Sequence, residues 1–286
     1  MPSFQHQNVH FHYEEMGTGE PIIALHGLAQ HSAYWMKTGV AQQLAKSYRV
    51  IALDVRGHGF TTIEGEPKNY NIETCVEDVN ALAEHLGLHQ FHLMGHSTGG
   101  MIAARYAMQY AIDENHADHN RLLSLILCNT SSSTQFSNLP DVANQAAVTF
   151  MASSFENFSW PLIIQGLKIN SGPLFAGLSA ANNSDELYEK TLKLMEDGNG
   201  KSIGAFVRSF YHDKNPHIEG LKKIICPTLV ITAELDRIFT KTSRYFLDNI
   251  QQVSHVHHPS CGHMTAVECP DWLTQNILNF LITQRP

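Results

Sequence analysis

The sequence predicts an α/β fold in which a mostly parallel sheet carries helices on both faces and a mainly helical cap interrupts the alternation. Three observations carry this expectation. Short apolar runs without polar alternation, the kind buried on both faces, recur at residues 22–25, 48–53, 91–94, 122–127 and 228–232. Amphipathic stretches of helical period separate the early ones, and strands alternating with helices mean βαβ units. The alternation then stops after residue 127 and resumes at 228.

Each element follows in turn. Residues 9–13 alternate like a half-buried strand, and Gly17, Gly19 and Pro21 punctuate the turn into the run 22–25. A helix is expected at about 33–45, before the strand 48–53. The clearest helix places Ile72, Cys75, Val76, Val79, Leu82, Ala83 and Leu86 on one stripe, with Glu73, Glu77, Asp78 and Glu84 mostly opposite. After the strand 91–94, residues 101–110 read as a buried helix. From 131 to 184 there are 54 residues with only three charged side chains, Asp141, Glu156 and Lys168, and a scatter of aromatics: Phe136, Phe150, Phe155, Phe158, Trp160 and Phe175. An ordinary amphipathic helix at 185–195 and a segment through Phe206, Phe210 and Tyr211 complete this insertion before Pro216. A strand-like stretch at 253–257 and a last helix at about 266–282 close the chain. The expected organisation is a core of residues 1–129 and 217–286 with a helical cap at 130–216.

Bulk properties narrow the function. At ~150 residues per domain, 286 residues make one large domain or two small ones. An apolar share of 43% with 16% charge excludes a disordered chain or a coiled coil. Nineteen basic against 27 acidic side chains give a net charge of −8, and no Lys/Arg run exceeds Lys222-Lys223. Nucleic acid is therefore not an expected partner, nor is a membrane surface. No basic leader or bilayer-length apolar run is visible, so the expected location is cytoplasmic, and the glycosylation-type tripeptides at Asn129, Asn157 and Asn182 carry no weight. Five scattered cysteines without a C-x-x-C pair read as reduced buried thiols. His255, His257, His258 and His263 cluster in sequence, but no acidic or cysteine ligand shows supporting spacing, so no metal and no cofactor are expected.

The chemistry is concentrated in Gly95-His96-Ser97-Thr98-Gly99, which an apolar strand feeds directly and a buried helix follows. A serine on a sharp strand-to-helix turn needs glycines on either side, so that no Cβ collides with its neighbours. Such a turn lifts the hydroxyl above the sheet and aims helix N-terminal amides at a developing negative charge. A serine hydroxyl also needs a base to take its proton and an acid to orient that base. On this architecture the order is serine, acid, histidine. Asp236 fits the acid, just past the strand 228–232, with Glu234 the nearest rival and closer to the strand end. His263 fits the base, because Cys261-Gly262-His263 follows a strand and precedes the last helix. The oxyanion requires two amides. Thr98, after the nucleophile, supplies one, and Leu28 in the strand-ending loop His26-Gly27-Leu28-Ala29 supplies the other. Asp54, Arg56 and His58 in the glycine-punctuated turn 54–59 read as mainly structural.

In their order along the chain, these motifs resemble the α/β-hydrolase fold superfamily: Glu15-Met16-Gly17-Thr18-Gly19, His26-Gly27, Asp54-Val55-Arg56-Gly57-His58-Gly59, Gly95-His96-Ser97-Thr98-Gly99-Gly100, Asp236 and Gly262-His263. The resemblance implies an eight-stranded sheet with the cap after its sixth strand, Ser97 as nucleophile, His263 as general base, Asp236 as orienting acid, and an acyl-enzyme. Serine at position 97 sets the chain apart from haloalkane dehalogenases and most epoxide hydrolases, which carry aspartate there. Residues 95–102 and Leu127-Cys128-Asn129-Thr130 are similar to enol-lactonases and cofactor-free haloperoxidase-like esterases. Leu28 and Ala29 depart from the HGGG lipase pattern, and Ala233 stands where the acid loop often has glycine.

The cap carries the substrate evidence. It holds half of the 14 phenylalanines, and Arg208 is its single arginine, so a neutral hydrophobic ester or lactone is the expected small-molecule substrate. The same three side chains also suit a C–C bond hydrolase, a thioesterase or a perhydrolase, and a hydrolase-fold ligand receptor is the reading from another class. Monomer and homodimer both remain open.

Overall fold

The protein is described by a computed structural model covering residues 2–66, 70–110, 121–135 and 140–284. Among the described residues nine strands occur in chain order: β1 (Ser3–His6), β2 (Val9–Met16), β3 (Glu20–Leu25), β4 (Tyr48–Leu53), β5 (Thr62–Ile63), β6 (Phe91–His96), β7 (Leu122–Cys128), β8 (Thr228–Ala233) and β9 (Val253–His258). Eight of them form one path, β1-β2-β4-β3-β6-β7-β8-β9, and the two-residue β5 pairs with β2 off that path. The first two pairings are antiparallel and every pairing from β4 to β9 is parallel. The mostly parallel eight-stranded sheet is thus present, and the helical cap leaves it after β7, the sixth strand in sheet order.

The unalternating runs are buried on both faces, as helices on each side require: every residue of β6 and β8 and the last four of β3 and β4 are inaccessible. The predicted stripe lies on the helix Ile72–His85, whose N-cap Asn71 accepts the Thr74 amide at 2.8 Å. One residue of its polar side behaves differently. Asp78 is buried, because Arg56 reaches it with two donors at 2.6 and 2.8 Å.

Two predicted helices are each broken in two. The stretch expected at 33–45 forms Ala33–Met36 and Val40–Leu44, separated at Gly39, whose φ of 99° leaves the helical region. The last forms Thr265–Glu268 and Pro270–Ile282; Pro270 has no amide hydrogen to continue the first helix and starts the second. Between β7 and β8 lie six helices among the described residues: Asp141–Asn157, Trp160–Ile169, Ala176–Ala180, Ser184–Lys193 and Gly200–Phe210 in the cap, then the short Ile218–Leu221. Phe136 lies outside the described residues. Among the described residues no helix is long and apolar enough to cross a membrane.

Beneath the future site, the turn after β4 is tied by Asp54, whose oxygens accept the Ser32 and Phe60 amides at 2.6 and 2.8 Å and contact His12 Nδ1 at 2.9 Å. Burial alone would raise this carboxyl, but His12, His26 and the two amides outweigh it and hold it below its ordinary value. His26 donates Nδ1–H to the Gly27 carbonyl at 2.7 Å and accepts the Val55 amide on Nε2 at 3.0 Å. Both nitrogens are used by a neutral ring. Burial, reinforced by His58, depresses its pKa, and burial pushes His58 down to about 4.

These rings set an acid limit on stability. Unfolded imidazoles take up protons below about pH 6.5, while the buried rings stay neutral, so stability is complete above that value and falls as pH drops towards 4. Each ring contributes up to about 1.4 kcal/mol per pH unit in that window. The thermal midpoint should decline steadily between about pH 6.5 and 4.5, and His58→Asn should flatten part of the slope. A midpoint constant across the window contradicts this assignment.

Candidate active site

Parallel register brings the carboxyl ends of the central strands level: Leu25 pairs with Gly95, His96 with Cys128, Cys128 with Ile231 and Ala233 with His258. The loops that follow therefore gather at one edge of the sheet, where α/β folds place ligands. Ser97 sits at the tip of the first of these turns with φ of 53°, and it is 7% exposed. Its amide donates to the Cys128 carbonyl at 3.0 Å, and its own carbonyl accepts the Thr130 hydroxyl at 2.6 Å. The flanking glycines are required by contact. A Cβ on Gly95 would stand 2.3 Å from the Gly99 carbonyl oxygen, and one on Gly99 would stand 2.5 Å from the carbonyl oxygens of Leu25 and His26.

His263 shares one cavity with Ser97, and its Nδ1 lies 2.9 Å from Asp236 Oδ2. Asp236 is 1% exposed. Burial would raise its carboxyl, but the His263 charge and hydrogen bonds from His263, Asn129 and the Phe239 amide prevail and keep it below the ordinary range. An ionised acceptor on Nδ1 fixes the proton there and leaves Nε2 to act as base. Glu234, the rival acid, is exposed and turns to His257 at 3.2 Å. The four neighbouring histidines do not converge: His255 and His257 share the Thr232 hydroxyl, while His258 Nδ1 accepts the Ser260 and Cys261 amides.

Three supporting residues were not legible as such in the sequence. Asn129, itself in the left-handed region at φ 48°, donates Nδ2–H to the same Asp236 oxygen at 2.9 Å. Glu268 accepts the Gly262 and Met264 amides at 2.6 and 3.0 Å, gripping His263 from both sides in the chain. His96 donates Nε2–H to the His263 carbonyl at 2.8 Å, and burial, with the nearby His263 charge, keeps it neutral. None of the three left a local sequence signal; Glu268 lies four residues beyond the helix N-cap Met264, one more than a capping box requires.

The two residues expected to supply oxyanion amides, Leu28 and Thr98, lie on facing segments. Thr98 opens the helix Thr98–Tyr110, where its N–H has no acceptor within the helix and stands at the positive end of the dipole. Leu28 lies in the loop held by His26 and by Gln30, whose Oε1 accepts the Gly27 amide at 3.0 Å. That loop presses on the serine: a Cβ on Gly27 would come within 3.2 Å of Ser97 Cβ. From the cap, Tyr211 Oη lies 2.5 Å from Thr98 Oγ1.

Above these groups is a cavity of about 720 Å³ that has Gly27, Leu28, Ser97 and His263 in its wall. The cap contributes Phe150, Phe155, Phe158 and Phe175 to it, and no Asp, Glu, Lys or Arg is among its described lining residues. Phe206 and Phe210 instead stack on each other at 4.7 Å in the buried part of the cap. Arg208 points away and pairs with Glu156 at 2.7 Å.

A family model described as alpha/beta hydrolase fold matches residues 20–270, and the chain belongs to that family. Among curated proteins it is 24% identical to a bifunctional epoxide hydrolase 2 of Sus scrofa, aligning 96% of this chain and spanning only 54% of that protein. It is 28% identical to a proline iminopeptidase of Lactobacillus helveticus, over 96% of this chain and 97% of the relative. Among solved structures, a thermophilic esterase from Thermogutta terrifontis superposes with a TM-score of 0.78 at 24% identity, covering 97% of this chain and 95% of that one. The chain is therefore an alpha/beta-hydrolase-fold protein.

Asn129→Gly keeps the left-handed backbone and removes the donor on Asp236. We expect kcat for an ester to fall about 10-fold or more with KM nearly unchanged, since one charge-assisted hydrogen bond is worth ~1.5–3 kcal/mol. Steady-state kinetics beside a melting curve check this: lost stability with unaltered kcat assigns Asn129 a purely structural part.

Proposed function

We propose that this chain is a serine hydrolase cleaving a carboxylic ester or lactone whose acyl or ring portion is hydrophobic and uncharged. The observation that carries the reading is the uncharged, phenylalanine-walled cavity that ends on Ser97 and His263. Residues 1–129 and 217–286 form the catalytic core in this reading, and residues 130–216 form the cap that shapes the acyl pocket.

In the first half-reaction His263 Nε2 takes the Ser97 proton as Oγ attacks the carbonyl carbon. The oxygen becomes negative between the Leu28 and Thr98 amides, which are already oriented by the loop 26–29 and by the helix N-terminus. Asp236 stabilises the imidazolium without taking its proton, because its carboxyl is held ionised. The imidazolium then protonates the leaving alkoxide. Water, deprotonated by the same histidine, releases the acid and restores Ser97.

Serine at position 97 favours an acyl intermediate over epoxide-hydrolase chemistry, since most enzymes of that class carry aspartate there. A pocket without a charged side chain among its described lining residues also disfavours substrates with a carboxylate or ammonium group, which would be buried unpaired. The acidic chain with its free thiols suits a reducing, cytoplasmic setting.

Ser97→Ala should lower turnover of a p-nitrophenyl ester by ~10⁴ or more with the fold intact. An undiminished rate removes Ser97 from the mechanism. Across an acyl series, kcat/KM should rise from acetyl to medium-chain esters, and a terminal carboxylate on the acyl chain should reduce it by about 100-fold or more. Equal rates for the charged and uncharged acyl chains contradict the pocket assignment.

A further inference from the structure

Away from the cavity, the fold assembles a group that no sequence spacing announces. His258 closes β9, Cys261 follows it in the loop that leads to His263, and Cys269 stands at the junction of the helices Thr265–Glu268 and Pro270–Ile282. A ring nitrogen of His258 and the sulfurs of Cys261 and Cys269 all lie within 4.8 Å of one another. We propose that these three side chains form a binding site for a soft divalent cation of the zinc class, distinct from the hydrolytic centre.

The ligand set fits that ion. Two sulfurs and one imidazole nitrogen are the donors that zinc and its congeners prefer, and a fourth position remains for water. The mutual distances exceed the sulfur–sulfur spacing of a tetrahedral zinc site by no more than an ångström or so. Side chains at a loop and a helix junction can close that gap. The ring of His258 accepts the Cys261 and Ser260 amides on Nδ1, so its lone pair is on the nitrogen that faces the Cys261 backbone, and a cation binds there by taking the place of the two amide donors. Trp272 lies edge-on to the ring at 4.7 Å and limits its swing.

Electrostatics favours the ion over an empty dithiol pair. Two adjacent thiolates repel each other, so neither ionises easily alone, whereas a divalent cation neutralises both. On binding, Cys261 and Cys269 each release one proton to solvent, and two thiolates balance the cation's charge. Cys261 is buried while His258 and Cys269 are half-buried, which leaves the ion a route in from the surface. The consequence reaches the other centre through the chain. Cys261 precedes Gly262-His263, so an ion anchors the approach to the loop that Glu268 already grips by the amides of Gly262 and Met264.

The test uses the full chain, reduced with a phosphine, stripped with a chelator and titrated with Co²⁺ and then Zn²⁺. We expect one Co²⁺ per chain, with a thiolate-to-metal charge-transfer band and the visible bands of four-coordinate cobalt, both abolished by equimolar Zn²⁺. Cys269→Ser and Cys261→Ser should each remove the charge-transfer intensity contributed by one sulfur and weaken binding about 100-fold or more. His257→Asn should bind as the parent does. Melting curves of the metal-free variants show whether each is folded, and half-buried Cys269 provides the milder of the two cysteine changes. Absence of a charge-transfer band at stoichiometric cobalt overturns the proposal, as does tight binding that survives both cysteine substitutions or disappears with His257→Asn.

Discussion

The left-handed turn at Ser97 is the constraint on which the rest of the site depends. A non-glycine residue at φ 53° carries strain of about 1–3 kcal/mol, which persists only where the surroundings over-determine it. Here they do so from every side. Gly95 and Gly99 let strand and helix backbones meet at distances no Cβ allows, the Ser97 amide is held by Cys128 and its carbonyl by Thr130. The same close approach seats the loop of Leu28 against the serine, so the Leu28 and Thr98 amides and the Ser97 hydroxyl are positioned by one packing arrangement.

Around that turn, polar and apolar halves divide the work. The carboxyl edge of the sheet is built on buried, hydrogen-bonded polar groups. Asp236 serves His263 and Asn129, Glu268 serves the amides on either side of His263, and His26 spends both nitrogens on backbone. Such a network is rigid because each unpaired member would carry a desolvation penalty. Among the described residues the cap supplies four phenylalanines and no charged side chain to the cavity. Chemistry and selectivity therefore sit on opposite walls, and the cap can vary what is bound without disturbing how it reacts.

What was legible in the sequence follows from the range of the forces involved. Buried parallel strands announce themselves because both faces must be apolar, and the serine turn announces itself because its glycines are adjacent in sequence. Asp236 and His263 could be named from their order after late strands, and the structure brings them within 2.9 Å. Helix breaks at Gly39 and Cys269-Pro270 were signalled by glycine and proline, but hydrophobic periodicity carried the reading across them. Asp78 read as a solvated helix face because its partner Arg56 lies on another element. Asn129, His96 and the group of His258, Cys261 and Cys269 gain their meaning only across strand and loop neighbours. In an acid chain with 18 histidines, counting types could not separate them.

The account's central claim is that Ser97 is an acylated nucleophile at the foot of an apolar pocket. Intact-mass and peptide analysis after exposure to a slowly deacylating medium-chain ester tests it most directly. One acyl group per chain, located on the peptide containing Ser97 and formed more slowly in His263→Ala, is the predicted result. Turnover without any covalent species under conditions where deacylation is blocked, or an acyl group carried by another residue, contradicts it.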